Sequence, residues 1–330
     1  MTIKFINKVC IYGAGAIGGW LGVKLSHAGC RVSVVARGAT LQALQKNGLQ
    51  LVEASRQHSV SVQASANPAE LGVQDVVIIA VKAPALRDVA LQIAPLIGPD
   101  TVVLTAMNGV PWWFFQGFGQ SLAGIQLMAI DPTGEIEQAI PAGHVVGCVV
   151  HASCSVDAPG VIRHHFGNGL ILGEPSGLPT ERVTQLTTLL TEAGFKASIS
   201  TQIQKDIWYK LWGNMTVNPI SAMTGATTDL ILGDELVRDF VSRIMLEAKE
   251  IGARIGIPID QQPEDRHAIT LKLGAFKTSM LQDVEAGKRI ELDGLVTVVK
   301  ELGALTQVKT PFTDALLGLA RLHAQGRGLY

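Results

Sequence analysis

The stretch Val9-Cys-Ile-Tyr-Gly13-Ala-Gly15-Ala-Ile-Gly18 decides how the rest of the chain is read. Val9–Tyr12 is a short apolar run, a buried strand by length and composition. It leads directly into three glycines spaced G-x-G-x-x-G, and Ala16–Ala28 continues as a helical pattern that Gly29 can stop. A second β-type run, Arg31–Val35, follows at the spacing of a βαβ unit. In that setting each glycine has a mechanical task. Gly13 permits a tight turn, Gly15 lets backbone approach a pyrophosphate, and Gly18 lets helix and strand pack closely. The helix N-terminus adds free N–H groups and its dipole, both favourable to phosphate. The plainer alternative is a glycine-rich turn in a non-binding α/β domain. The flanking strand, helix and second strand weigh against it. Gly13, Ala14, Gly15, Ala16, Ile17 and Gly18 are therefore read as a dinucleotide cradle.

Working outward, Leu41–Lys46 is a short helix, and Leu49–Val52 with Ser59–Gln63 a hairpin. Val76–Val81 is a continuous β-branched run, as a strand buried on both faces should be. Ala85–Ile97 is helical and Thr101–Thr105 a further strand. This alternation predicts a parallel, doubly wound sheet. Past Thr105 the pattern loosens. Ile125–Ala129, Val145–His151, Gly169–Leu172 and Lys196–Ser200 read as strands, and Thr180–Ala193 as a helix. From Ile203 only helices are expected: Ile203–Val217, Glu235–Ile255, Arg266–Leu281, Leu295–Leu302 and Thr313–Ala324. The fold class is α/β: an N-terminal Rossmann-type dinucleotide-binding domain (1–200) followed by an all-α C-terminal domain (201–330). A chain of 330 residues suits two domains of the usual ~100–200 residues.

The end of the second strand distinguishes the two nicotinamide dinucleotides. NAD enzymes place an Asp or Glu there to hold the ribose 2′-OH. Here the strand ends Val34-Val35-Ala36-Arg37-Gly38, with no acid between Arg31 and Val52. A guanidinium at that place can grip a 2′-phosphate and stack on adenine. The reading is NADP(H), with an ordinary solvated Arg37 as the alternative.

Bulk composition excludes other classes. A net charge of −1 with no long run of like charge gives no electrostatic basis for nucleic-acid or membrane binding. The apolar run Val9–Val23 has the outline of a secretory leader, but Gly13, Gly15, Gly18, Gly19 and Gly22 punctuate it, and the dinucleotide turn explains them better. The four cysteines, Cys10, Cys30, Cys148 and Cys154, form neither a disulfide framework nor a metal spacing, so a cytoplasmic setting is expected. His164-His165 is an isolated pair, read as surface or sheet edge. P-loop, G-x-S-x-G and H-E-x-x-H motifs are absent.

Chemistry-bearing side chains gather in the second half. Lys210, Asn214 and Asn218 stand at i, i+4 and i+8, one face of a helix. Trp208, Leu211, Trp212 and Met215 flank them with an apolar seam that would partly desolvate the lysine and lower its pKa towards acid/base use. A solvated surface face is the alternative. Ser279-Met-Leu-Gln-Asp283 and Arg289-Ile-Glu291-Leu-Asp293 form another polar constellation, with Glu291 a partner for an ammonium or a substrate hydroxyl, or else part of a helix-end cap. Asn108-Gly109 and Lys82 each follow a strand, at the sheet edge where α/β proteins bind ligands.

Taken in order, Gly13-x-Gly15-x-x-Gly18, Arg37, Val81-Lys82, Asn108-Gly109, Lys210-x-x-x-Asn214-x-x-x-Asn218, Ser279-Met-Leu-Gln-Asp283 and Glu291-Leu-Asp293 give the chain a close resemblance to the ketopantoate reductases over nearly its whole length. The resemblance implies NADPH-dependent reduction of 2-dehydropantoate to (R)-pantoate, a step towards pantothenate. It implies Lys210 as general acid, with Glu291 poising the site. Asn108, Asn214, Asn218 and Ser279 would hold substrate, and Arg37, Lys82 and Asn108 would lie along the cofactor. A homodimer is an assembly to be tested. There is one departure: Val110-Pro-Trp-Trp-Phe-Phe115 is bulkier than expected of the family. Those rings either reshape a pocket or form core for the following segment. Two alternatives accompany the main reading: the same scaffold acting on another, bulkier 2-oxo acid, and a non-catalytic NADP(H)-binding sensor.

Overall fold

A computed structural model of the chain describes residues 6–54 and 56–330. The chain separates into two compact units, Met1–Met107 with Gly134–Ile203, and Asn108–Thr133 with Gln204–Tyr330. The sequence reading draws one cut after residue 200; the structure also places Asn108–Thr133 in the helical unit.

In the first unit the strands are β1 (Lys8–Tyr12), β2 (Arg31–Val35), β3 (Leu49–Glu53), β4 (Arg56–Val60), β5 (Gln63–Ser65), β6 (Val76–Ile79), β7 (Val102–Thr105), β8 (Val145–Ala158), β9 (Val161–Gly173) and β10 (Lys196–Ile199). The helices are α1 (Ala16–His27), α2 (Gly38–Asn47), α3 (Leu86–Ala90), α4 (Glu135–Ala139) and α5 (Glu181–Glu192). Among the described residues the sheet order is β4-β3-β9-β8-β7-β6-β1-β2-β5, with β10 on β9. Strands β5, β2, β1, β6, β7 and β8 run parallel, as the Rossmann reading requires. The β8–β9 and β3–β4 pairs are antiparallel, so the whole sheet is mixed.

The sheet also curls. Helix α1 packs on β1 and β2, and equally on β3, β8 and β9 from the far side of the order. The cause is visible in the helix: Gly18 to Val23 and Leu25 are all buried, leaving no polar face for solvent over that stretch. A Cβ on Gly19 would run into the Ile162 side chain of β9, and one on Gly22 would stand 3.0 Å from Leu49 Cδ2 of β3. These two glycines let β9 and β3 approach. Trp20 on the same helix stacks on His164, ring centroids 5.4 Å apart. Glu53 on β3 pairs with Lys24 at 3.1 Å and lies 3.5 Å from His164 Nδ1. His165 Nε2 meets Ser155 Oγ at 2.9 Å.

The second unit contains α6 (Ile203–Thr224), α7 (Thr228–Gly233), α8 (Glu235–Arg254), α9 (Pro263–Leu271), α10 (Ser279–Glu285), α11 (Val298–Thr306) and α12 (Pro311–Gln325), with a π turn at Asp293–Thr297 leading into α11. Several sequence expectations change here and in the first unit. The Ala85–Ile97 helix shrinks to α3 with 3₁₀ turns on either side, around Pro84 and Pro95. The expected strand Ile125–Ala129 is a turn. The N–H groups of Met128 and Ala129 donate to the Glu301 carboxylate at 2.7 and 2.8 Å instead of to a neighbouring strand. The expected Arg266–Leu281 helix is two, α9 and α10. Gly274 breaks it with φ +63°, and Thr278 restarts it by accepting from Leu281 N–H. Helix α6 runs on through Pro219 rather than stopping at Val217.

Trp208, Leu211, Trp212 and Met215 line the buried side of α6, and Trp212 Nε1 donates to the Met245 carbonyl on α8 at 2.7 Å. Trp112, Trp113, Phe114 and Phe115 are buried as well. Phe114 packs edge-on to Phe115 at 5.1 Å and lies 6.4 Å from Trp208, while Phe115 stacks on Phe118. The aromatic run is core of the second unit.

Candidate functional site

Within the glycine turn, two glycines are required by the fold's own sterics and one is not. Gly13 sits at φ +98°, and a Cβ there would stand 2.7 Å from Val81 Cγ1. A Cβ on Gly18 would fall on the Gly13 carbonyl oxygen and 2.9 Å from Ile11 Cγ2. Both glycines are demanded by the protein itself. Gly15 is not: its backbone is extended, at φ −76° and ψ −166°, and among the described residues no atom beyond its chain neighbours lies within 4 Å of where a Cβ would stand. Gly15 is the N-cap of α1 and supplies no capping side chain, so the first-turn N–H groups receive none from that residue. A cradle in which the one sterically undemanded glycine faces open space suits a dinucleotide pyrophosphate. Ala14 is buried, and Ala16 and Ile17 half-buried, in the same turn.

Arg37 follows β2 and is the N-cap of α2. Gly13 N–H donates to Val35 O at 3.2 Å, which ties the glycine turn to the end of β2. The structure adds a residue that the sequence reading missed. Asp88, in the first turn of α3, places a carboxylate oxygen 3.5 Å from Arg37 Nη1. No local motif announces Asp88, because the sheet brings it there from the β6 crossover. Tyr12, at the end of β1, sits within the field of both charges. Its phenol is pushed above the usual value by burial, with Arg37 opposing and Asp88 adding to the shift. Lys82 is half-buried and occupies the N-cap position of the 3₁₀ turn Ala83–Ala85 after β6.

The remaining candidates belong to the second unit. Lys210, Asn214 and Asn218 lie on three successive turns of α6; Lys210 and Asn214 are half-buried and Asn218 is buried. Pro219 leaves this row intact because the helix continues past it. Ser279 opens α10 and is half-buried, and Glu291 is buried between α10 and the π turn. Asn108 is half-buried, and Gly109 after it adopts φ +83°. A Cβ on Gly109 would collide with the Gly294 backbone, and Val110 N–H donates to Gly294 O at 2.9 Å. The Asn108 loop is thus fastened to the π turn that follows Glu291. The other side of that turn is fixed by Tyr330, whose hydroxyl donates to Asp293 Oδ1 at 2.7 Å, and by Ile290 N–H donating to Leu329 O at 3.0 Å. The spacing of Asn108 and Glu291 in sequence gives no hint of this fastening. The glycine turn, Arg37 and Lys82 share the first unit; Asn108, the Lys210 row, Ser279 and Glu291 share the second.

Two family models match the chain, "Ketopantoate reductase PanE/ApbA" over residues 9–177 and "Ketopantoate reductase PanE/ApbA C terminal" over residues 202–324. A 2-dehydropantoate 2-reductase of Mesorhizobium japonicum is 48% identical over 324 residues, covering 98% of this chain and 99% of its own. A crystal structure from Ralstonia solanacearum MolK2, described as a candidate ketopantoate reductase, is 56% identical with a TM-score of 0.95, covering 98% of this chain and 100% of its own. The ternary structure of D-mandelate dehydrogenase with NADH and anilino(oxo)acetate shares the fold at a TM-score of 0.84 and 21% identity, covering 98% of this chain and 100% of its own. With both units matched and a relative this similar along its full length, the chain belongs to the ketopantoate reductase family of oxidoreductases acting on CH–OH groups.

Proposed function

We propose that this chain reduces 2-dehydropantoate to (R)-pantoate with NADPH, Lys210 acting as the general acid. The observation that carries the substrate is the 48% identical 2-dehydropantoate 2-reductase, matched end to end. The cradle at Gly13–Gly18 would hold the pyrophosphate, Arg37 the 2′-phosphate, and Lys82 and Asn108 other parts of the cofactor. When bound, NADPH supplies the hydride. As the ketone oxygen takes on alkoxide character, the Lys210 ammonium stabilises the charge and gives up a proton to that oxygen. Asn214, Asn218 and Ser279 would orient the substrate's hydroxyl and carboxylate ends, and Glu291 would poise the reacting end by hydrogen bonding. Burial of Trp112–Phe115 in the core of the second unit removes the motive for a bulkier 2-oxo acid.

The four cysteines are free thiols, which supports a reducing, cytoplasmic setting. A homodimer is the assembly to test by light scattering. Lys210→Ala tests the acid. Turnover should fall roughly 100-fold or more while NADPH binding is retained. Unchanged turnover would remove Lys210 from the role, and the absence of turnover in the parent protein would favour a cofactor-binding sensor.

A further inference from the structure

We infer that Asp88 is a specificity-determining residue that narrows this protein's discrimination between NADPH and NADH. The inference rests on the reading of Arg37 as the 2′-phosphate ligand.

The sequence around β2 presents a base and no acid. The folded chain presents both. Arg37 and Asp88 face one another at 3.5 Å, with side chains 67% and 58% exposed. They stand beyond the carboxyl ends of β2 and β6, the two strands that flank β1 and its glycine turn. An ion pair this exposed is weak, so Arg37 is released readily to another anion. The anion that replaces Asp88 at the guanidinium still has Asp88 beside it. A 2′-phosphate carries close to two negative charges, and a carboxylate a few ångströms away repels each of them. A ribose 2′-OH meets the opposite situation, because an ionised carboxylate is an acceptor for its proton. One residue therefore weakens the phosphorylated dinucleotide and supports the unphosphorylated one. Arg37 does the reverse.

The site is solvated, so the effect is modest and sensitive to salt. One pair of unit charges about 4 Å apart in water changes affinity by about fivefold; the second phosphate charge adds to that, and a Debye length of ~10 Å at 0.1 M salt screens part of the sum, leaving about fivefold. Tyr12 reports on the same field, since its phenol is under the opposing influence of both residues.

The test is fluorescence titration of NADPH and NADH with the full chain and its Asp88→Asn, Asp88→Glu and Arg37→Ala variants, at low and high salt. Asp88→Asn should tighten NADPH about fivefold, weaken NADH, and lose most of its effect on NADPH at high salt. Asp88→Glu keeps the charge and should stay close to the parent. Arg37→Ala should weaken NADPH far more than NADH. If Arg37→Ala is selective but Asp88→Asn leaves the NADPH-to-NADH ratio unchanged, the inference about Asp88 is overturned and that about Arg37 stands. If Arg37→Ala weakens both dinucleotides equally, both are overturned.

Discussion

Replacing Gly15 with alanine should separate binding from folding in a way that its two neighbours in the motif cannot. At Gly18 the new Cβ falls on the Gly13 carbonyl oxygen, 2.9 Å from Ile11 Cγ2 and 3.0 Å from Ala80 Cβ. Overpacking of this kind costs about 1–3 kcal/mol, offset in part by the ~1 kcal/mol that alanine gains over glycine inside a helix. Because the obstacle is backbone, the cost lies at the upper end of that range and the balance is a loss of about 2 kcal/mol. At Gly13 the positive φ of +98° adds backbone strain of ~1–3 kcal/mol to the contact with Val81. At Gly15 neither term applies, since φ is −76° and no described atom beyond its chain neighbours lies within 4 Å. The remaining cost is a poorer N-cap, less than about 1 kcal/mol. On the proposed cofactor site, however, the same methyl group would stand where the pyrophosphate comes close to backbone N–H groups. Losing two hydrogen bonds to a charged group, at ~1.5–3 kcal/mol each, removes at least roughly 3 kcal/mol, more than 100-fold in affinity. The assay pairs urea unfolding of the cofactor-free protein with NADPH fluorescence titration. Gly15→Ala should unfold near the parent midpoint and bind NADPH at least roughly 100-fold more weakly, by the same arithmetic. Parent-like binding, or destabilisation as large as that of Gly18→Ala, would refute the division.

The curled sheet gives a second contrast. Gly19→Ala, inside α1 against Ile162, should lose up to about 2 kcal/mol, whereas Gly318→Ala, on the exposed side of α12 with no described atom beyond its own helix within 4 Å, should gain up to about 1 kcal/mol. Hydrogen exchange of α1 and α12 reads each locally, and stabilisation by both substitutions would contradict the wrapping of β3 and β9 around α1. A third prediction concerns acid. Burial holds the His267 imidazole below its usual value. The unfolded chain therefore binds that proton more readily, so this residue's contribution to stability is intact above a pH of about 6.5 and declines as pH falls from there towards the lower folded value. Between pH 7 and pH 5 the urea midpoint of His267→Gln should fall less than that of the parent; an identical fall would show that His267 does not contribute.

The residues that sequence exposes best are those whose task is local. Gly13, Gly15 and Gly18 act within one strand–turn–helix, and periodicity alone puts Lys210, Asn214 and Asn218 on one face of α6. The Val76–Ile79 strand is equally plain because both of its faces are buried. What sequence hides depends on partners far along the chain. The β-type run Leu49–Glu53 is legible as a strand, yet none of its five residues marks β9 as its parallel neighbour. Gly19 and Gly22 look superfluous until Ile162 and Leu49 are packed against them. Met128 and Ala129 have the composition of a strand, but the carboxylate of Glu301, far along the chain, takes their N–H groups. The absence of an acid near Arg37 is true of the sequence and untrue of the fold, where Asp88 fills that place.

A reductase that draws on NADPH through Arg37 and acts on 2-dehydropantoate is tested most directly by steady-state turnover. The purified chain is given a panel of 2-oxo acids, with NADPH and with NADH. 2-Dehydropantoate with NADPH should give the highest kcat/KM. No turnover of any branched 2-oxo acid with NADPH, or a kcat/KM that favours NADH, would contradict this reading.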